Sequence, residues 1–303
     1  MGLVNVLFPI FAIILLGWLA RRFRFPGEGF WPGAELATNG VFFPCLLTSN
    51  LAVANGIDTA ALPMAGALVS GVVVMVCLLL LLRRRLGLEG GVFISVFQGG
   101  IRPNCIVALA ASLALAGTSG VATSAVAIVT LIPLVNLLSV PVGSSCGCGN
   151  DVTLFRAMRY ALLDPLTLAC ILGIVLNRMD NPLPAWLFEL AHLLGRAALP
   201  VGLLSVGAAL DFGGLRANLK AVSLAALLKL AVLPLLTALG CLLYATPPTA
   251  ASIAILFAAS PASASLLFAR RYGGGDDKVS SAVVSVQMAL SALTLPVTVA
   301  LMP

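Results

Sequence analysis

Charged residues are scarce in this chain. Only 9% of its 303 residues are charged, and 60% are hydrophobic, whereas about a quarter of the residues in soluble domains are charged. This composition excludes an ordinary water-soluble enzyme. It also excludes a disordered chain, because so much apolar surface does not remain solvated. Lipid is the solvent that fits the composition, so the sequence predicts a protein embedded in a lipid bilayer.

The chain also has few of the residues that catalysis and cofactor binding need. It contains one histidine and no phosphate-binding loop of the Gly-x4-Gly-Lys-Ser/Thr type. Cys146-Gly-Cys148 is by itself a weak metal signal. The net charge of +6 comes from small basic clusters between apolar runs, which is not a nucleic-acid-binding pattern. We therefore expect no enzymatic activity, no cofactor, no metal and no nucleic-acid partner.

What the sequence does have is a series of long apolar runs. A membrane-spanning helix needs about 20 such residues. Charged or Gly/Pro-rich turns separate the runs, although the fourth and fifth are divided only by Gly117-Thr118-Ser119-Gly120. We predict an all-α membrane protein with ten transmembrane helices. The predicted spans are 3–20, 34–55, 60–82, 90–116, 119–141, 155–177, 186–210, 218–244, 248–269 and 279–301.

The loop cations predict the orientation of these spans. Of 17 basic residues, Arg178 is the only one in a loop after an even-numbered span. Because cytoplasmic loops are enriched in Lys and Arg, we expect a multi-pass protein of the cell (inner) membrane with both termini on the extracytoplasmic side. The cations after odd-numbered spans are Arg21, Arg22, Arg24, Arg83, Arg84, Arg85, Arg156, Arg159, Arg216, Lys220, Arg270, Arg271 and Lys278.

The two halves of the sequence resemble each other. Pro9 and Gly17 in span one have the same spacing as Pro165 and Gly173 in span six. Similar short matches, in the same order, relate spans two and seven and spans five and ten. A five-span unit has an odd number of crossings, so the second unit enters the membrane upside down. We predict a first repeat at 1–142, a cytoplasmic linker at 143–154 and a second, inverted repeat at 155–303.

Spans four and nine each contain a proline near the centre. Span four contains Arg102-Pro103-Asn104, and span nine contains Ser260-Pro261-Ala-Ser263. Proline lacks a backbone donor, and in lipid the freed carbonyl groups must face protein, water or ligand. The prolines are either simple kinks or the broken helices that meet at the substrate site of transporters with inverted repeats.

The polar residues beside these prolines are candidate ligands for an anion. Arg102 either binds a substrate carboxylate with its forked guanidinium or bonds to the freed carbonyl groups. Asn104 offers amide donors and an acceptor. Ser260 and Ser263 either contribute hydroxyl groups to the site or bond back to their own helix.

Two further polar residues lie in apolar surroundings. Asp164 in span six is either a proton carrier that couples transport or the structural partner of Arg196 in span seven. Lys229 in span eight is expected to extend its ammonium group towards the cytoplasmic interface.

Four segments together resemble the auxin efflux carrier family, in its bacterial branch of small-acid permeases of the malonate and malate type. They are Gly100-Ile-Arg-Pro-Asn104, the segment 199–210, Phe268-Ala-Arg-Arg-Tyr272 and Leu293-Thr-Leu-Pro296. The resemblance implies two inverted five-helix repeats, and helices 4 and 9 that cross at their prolines. It also implies a scaffold of helices 1, 2, 6 and 7 that is usually dimeric, and organic anions as substrates. Asp164-Pro165 departs from the Asn-Pro that the family often has there.

The sequence therefore predicts a secondary transporter that moves small organic anions by alternating access around the crossing of helices 4 and 9. The alternative is a sodium-coupled symporter of the bile-acid type. Such a symporter needs acidic or carbonyl-rich cation sites near the crossing, and spans four and nine contain no aspartate or glutamate. An intramembrane protease would need a Ser/His pair, an Asp pair or a metal cluster, which one histidine and one central aspartate fit poorly.

Cysteine labelling tests the predicted orientation. In a background without native cysteines, single cysteines introduced directly after Met1 and at Pro303 should react with a membrane-impermeant reagent in intact cells, because both termini are expected to face outwards. Reaction only after the cells are permeabilised would reverse the orientation.

Overall fold

The computed structural model of the chain describes residues 3–27, 29–54, 58–146, 159, 163–179, 181, 183–213, 218–263 and 275–302. Every regular element within these residues is a helix, and they contain no strand. In chain order the helices are α1 (Leu3–Arg22), α2 (30–52), α3 (Asp58–Leu86), α4 (Gly90–Ile101), α5 (Cys105–Ser145), α6 (Pro165–Arg178), α7 (Ala185–Ala208), α8 (219–243), α9 (Pro248–Ala259) and α10 (Asp277–Ala300).

Three of these helices are irregular. A π-helical turn, Thr38–Phe42, interrupts α2, and a second, Leu228–Val232, interrupts α8. Gly117 divides α5 because its backbone lies at φ 60° and ψ −146°, a conformation that glycine adopts at little steric cost. The break falls at the boundary that the sequence places between spans four and five.

Five helical stretches of the described residues are long and apolar enough to cross a membrane. The all-helical membrane protein predicted from composition is thereby confirmed for the described part of the chain, and so is a multi-pass arrangement. Parts of the predicted sixth and ninth spans, position 55 of the predicted second span, most of the predicted linker and the segment 268–272 lie outside the described residues. The count of ten spans and their inverted order stay predictions. The five stretches are Ala61–Arg83, Gly90–Ser145, Ala185–Ala208, Leu219–Leu243 and Asp277–Ala300.

Glycines allow α1 and α7 to pack closely. A Cβ atom on Gly17 would overlap the backbone of Leu204, and one on Gly207 would overlap the backbone of Ile14. Small residues permit such close approach of helices in membranes, where packing rather than the hydrophobic effect drives helix association.

A similar contact joins α6 to α2. A Cβ atom on Gly173 would lie 3.1 Å from Cα of Thr48, whose hydroxyl group donates to the carbonyl of Ala169 at 3.1 Å. Gly173 and Leu204 each follow their counterparts Gly17 and Thr48 by 156 positions. One residue pair in the contact between α1 and α7 therefore has its counterpart in the contact between α6 and α2.

Arginine side chains join the ends of two pairs of helices. The Arg21 guanidinium donates to the carbonyl of Ala208 at 2.7 Å, which joins the ends of α1 and α7. Arg83 donates to the carbonyl of Ser145 at 3.2 Å, which joins the ends of α3 and α5. The Arg83 guanidinium also lies 5.3 Å from the ring centre of Phe93, in the first turn of α4.

Candidate functional site

The chain is extended for three residues between α4 and α5. Arg102 has φ −81° and ψ 122°, and Asn104 has φ −87° and ψ 99°. Pro103 causes the break, since it lacks an N–H group and disfavours helical backbone at the residue before it. Asn104 then begins α5, because its Oδ1 accepts from the backbone N–H groups of Ile106 at 3.1 Å and Val107 at 3.2 Å.

A second extended segment follows α9. Ser260 has φ −61° and ψ 141° and precedes Pro261, so the same proline effect applies. The two breaks touch: the backbone N–H of Asn104 donates to the carbonyl of Pro261 at 2.8 Å. Asn104, Ser260 and both prolines are buried. The structure thus brings Pro103 and Pro261, which are far apart in the sequence, into one buried contact.

Gln287 of α10 joins the two breaks. Its Nε2 donates to the carbonyl of Gly99 at 3.0 Å, and its Oε1 accepts from the N–H of Ala262 at 2.7 Å. In an unbroken helix the Gly99 carbonyl would accept from residue 103, but Pro103 has no N–H group to donate. The Gln287 side chain therefore replaces the hydrogen bond that Pro103 removes from the Gly99 carbonyl. It also accepts from the buried N–H of Ala262 in the extended segment after α9.

The same amide group reaches a third helix. Gln287 Nε2 also donates to the carbonyl of Ala225 at 3.0 Å, just before the π-helical turn of α8. The Gln287 side chain is fully buried, so these contacts form away from solvent. The side-chain amide of Gln287 in α10 thus forms hydrogen bonds with α4, with α8 and with the segment after α9.

Arg102 lies beside two polar groups of the chain. Its Nη1 donates to Oδ1 of Asn136 in α5 at 3.2 Å, and its guanidinium is within electrostatic range of the Asp164 carboxylate. Arg102 is only partly buried, as is Asp164. The structure thus gives Arg102 partners in the protein and also leaves part of its side chain accessible.

Asp164 begins α6 rather than lying within it. Its Oδ1 accepts from the N–H of Leu166 at 3.0 Å, so the carboxylate caps the helix that starts at Pro165. Arg102, not Arg196, is the cation close enough to act on it. Arg196 is exposed. The structure therefore does not support the proposed pairing of Asp164 with Arg196.

The two candidate serines differ in their contacts. The Ser260 hydroxyl group donates to the carbonyl of Phe257 at 2.7 Å, which is the back-bonding alternative. Ser263 is partly buried and is the last described residue before 264–274. Ser260 thus lies at the contact between the breaks with its hydroxyl hydrogen already donated, and Ser263 lies three residues beyond it.

Lys229 is not where the sequence suggests. It belongs to the π-helical turn of α8 and is fully buried, so the expectation that its ammonium extends to the cytoplasmic interface is wrong. Its Nζ has no hydrogen-bond partner among the described residues. It borders a small cavity together with Pro103 and Phe257, directly behind the helix break.

The sequence analysis did not identify Gln287 and Asn136 as residues of the site, although each stands out in the sequence. Each is a lone amide side chain within a long apolar run, and buried polar side chains are almost always hydrogen-bonded. Neither has a motif neighbour that would point to its partner. Their partners, Gly99 and Arg102, lie 188 and 34 positions away, so only the tertiary structure identifies them.

The second half of the chain matches a known protein family. A family model described as a membrane transport protein matches residues 150–299, just under half of the chain and nearly the whole predicted second repeat. The match indicates a membrane transporter and supports the resemblance to the auxin efflux carrier family. A search of curated proteins finds no match.

The Gln287 contacts predict a loss of stability when the amide is removed. Gln287→Leu keeps the side chain's approximate size but leaves the Gly99 carbonyl and the Ala262 N–H unpaired, and each unpaired buried group costs about 1–3 kcal/mol. Thermal unfolding in detergent should show a lower midpoint for Gln287→Leu. Gln98→Leu is the matched control, because Oε1 of Gln98 has no partner among the described residues. Equal midpoints for the two variants would contradict the role given to Gln287.

Proposed function

We propose that this membrane transporter, whose second half matches the membrane transport protein family, moves small organic anions by alternating access around the contact between the two helix breaks. The observation that carries the proposal is the hydrogen bond from Asn104 to Pro261, with Arg102 beside it. Broken helices that meet inside a bundle are where secondary transporters bind their substrates.

The chemistry of the break suits a carboxylate. Arg102 provides a forked guanidinium that matches carboxylate geometry. Asn104 uses its Oδ1 to cap α5, which leaves its Nδ2 group as the donor to a ligand. The N-terminal end of α5 also lies at the break, where the helix dipole favours an anion, although the N–H groups of Ile106 and Val107 already donate to Asn104 Oδ1. Ser260 and Ser263 complete the proposed binding residues, and malonate- or malate-like acids are the substrates that the family resemblance suggests.

The glycine contacts support an inverted repeat. In a pair of inverted repeats, a contact between helices 1 and 7 has a counterpart between helices 6 and 2. Gly17 against Leu204, and Gly173 against Thr48, form such a pair with a constant offset in the sequence. Ten spans in two inverted units, 1–142 and 155–303 joined by the linker 143–154, account for both contacts. They also account for the proline break in each unit.

The same contacts suggest the scaffold of the transporter. Helices α1, α2, α6 and α7 pack on one another, with glycines at the interfaces of α1 with α7 and of α6 with α2. We propose that this group is the fixed scaffold and forms a homodimer, while the helices around the two breaks move. Because 13 of the 17 basic residues follow odd-numbered predicted spans, the proposed orientation in the inner membrane has both termini outside.

The sodium-coupled alternative is not favoured. Sodium sites in proteins use oxygen ligands, and α4 and α9 contain no aspartate or glutamate. The acidic side chain near the break is Asp164, which caps α6 and lies within range of Arg102. We propose instead that Asp164 couples anion movement to the proton gradient.

Substitutions at the break test the anion site. Arg102→Gln removes a charge-assisted hydrogen bond, which should weaken binding of a carboxylate by about ten- to a hundred-fold. Asn104→Ala should weaken it similarly, and Asn104→Ser keeps an oxygen that caps α5, so it separates loss of binding from loss of the helix cap. The measurement is the affinity for labelled malonate, malate, oxalate and indole-acetate, with the exposed Arg85→Gln as control. Unchanged affinity in the Arg102 and Asn104 variants would place the site elsewhere.

Asp164→Asn tests the proposed coupling. Asparagine has almost the same volume and also caps helices, so the fold should persist, but an amide does not carry a proton. In proteoliposomes the variant should exchange substrate and should lose the acceleration that an inward proton gradient gives the wild type. Accumulation driven by the gradient at the wild-type level would show that Asp164 is a structural cap.

A further inference from the structure

The partner of Arg102 in α5 is an amide side chain. Arg102 Nη1 donates to Oδ1 of Asn136 at 3.2 Å, and the acceptor must be the amide oxygen, because a guanidinium group only donates. Asn136 is only 7% exposed and lies in an apolar stretch of α5. A buried polar side chain is costly unless it is hydrogen-bonded, so the bond to Arg102 is what stabilises the amide there.

The course of α5 brings Asn136 back to the break. The helix begins beside the break at Cys105, and an unbroken helix from there to Asn136 would be about 46 Å long. Gly117 divides the helix, and the part after Gly117 passes the same break again. Leu131 of this part lines a small cavity together with Pro103, and Asn136 reaches Arg102.

An amide oxygen orients a guanidinium group without cancelling its charge. A carboxylate in the same place would form an ion pair with Arg102 and compete with any anion. Asn136 supplies an acceptor and no charge, and its Nδ2 group is left as a donor. Asn104 is used in the same way, since its Oδ1 accepts from the backbone of α5. Both amides thus turn their acceptor oxygens to the protein and keep their donors for a ligand.

Asn136 and Asp164 hold different places in the proposed mechanism. Asp164 lies within electrostatic range of Arg102, but it caps α6, which belongs to the proposed scaffold. Asn136 lies in α5 and Arg102 at the end of α4, and both helices belong to the group that we propose to move. The bond between Arg102 and Asn136 therefore lies within the proposed moving group, whereas Arg102 and Asp164 lie on either side of its boundary.

We infer that Asn136 is a positioning residue of the anion site. Its amide oxygen holds the Arg102 guanidinium in the orientation that binds a carboxylate, and its neutrality leaves the positive charge to the anion. Asn136 thus contributes to the selectivity of the site for an ionised acid. This inference rests on the proposed function as an organic-anion transporter.

Asn136→Asp separates the charge of the site from its structure. The variant keeps an acceptor oxygen for Arg102 at almost the same volume, so its thermal unfolding midpoint in detergent should not fall below that of the wild type. Its affinity for malonate, malate, oxalate and indole-acetate, measured by calorimetric titration of the purified full chain, should nevertheless fall about a hundred-fold, because the guanidinium charge is already paired. Wild-type affinity in this variant would overturn the inference.

Ser139→Ala is the matched control for this measurement. Ser139 is buried in the same part of α5, and its hydroxyl group donates to the carbonyl of Val135 in its own helix. Its removal should leave the affinity for the four anions unchanged. A loss as large as that in Asn136→Asp would show that any polar change in this part of α5 weakens binding, which would overturn the inference.

A double-mutant cycle tests whether Asn136 acts through Arg102. Asn136→Leu removes one hydrogen bond and should weaken anion binding about five- to tenfold in the wild-type background. In the Arg102→Met background the same change should have little effect, because no guanidinium group remains to be oriented. Equal losses in both backgrounds would overturn the inference.

The same variants test the contact without any anion. Asn136→Leu and Arg102→Met each leave a partner without its hydrogen bond, whereas the double variant removes both partners. The double variant should therefore unfold at a higher temperature than the sum of the two single shifts predicts. Additive shifts would show that Asn136 does not hold Arg102 and would overturn the inference.

The two proposals fail in different ways. If none of the four anions binds to the wild type, the proposed organic-anion site is wrong, while the anion-free midpoints still decide whether Asn136 holds Arg102. If the anions bind equally to the wild type and to Asn136→Asp, the transporter proposal stands and the role of Asn136 is wrong.

Discussion

The structure depends on how two interrupted helices satisfy their backbone groups inside an apolar bundle. Pro103 removes a donor from one helix, and Pro261 ends the other. Away from water, each unpaired backbone group is costly. Asn104 donates to the carbonyl of Pro261, and Gln287 pairs with Gly99 and Ala262. These contacts hold the two breaks together.

The same requirement creates a polar region in a chain with little polarity. An unbroken helix pairs its own backbone groups, so it needs no polar side chains in lipid. At the breaks, Asn104 and Gln287 pair with backbone, and Arg102 pairs with Asn136. This polarity is concentrated where the two halves of the chain meet. The carboxylate that we propose as ligand would meet donors that are already positioned by the fold.

The glycine interfaces have the opposite character, because they hold helices together without polar side chains. Gly17 and Gly207 bring α1 and α7 into backbone contact, and Gly173 does the same for α6 and α2. Close packing of this kind resists sliding, since interlocked surfaces have few alternative arrangements. A closely packed group of helices beside a polar contact between broken helices is consistent with the proposed mechanism of alternating access.

The sequence by itself determined the environment and the positions of the irregularities. Scarce charge and long apolar runs predict membrane helices, and the prolines at 103 and 261 predict the breaks, because these are local properties of the chain. Only the tertiary structure determined which groups the polar side chains contact. Asp164 is near Arg102 rather than Arg196, Lys229 is buried rather than at the interface, and Gln287 joins both breaks. In so apolar a chain, no local pattern indicates which distant backbone group a lone polar side chain will satisfy.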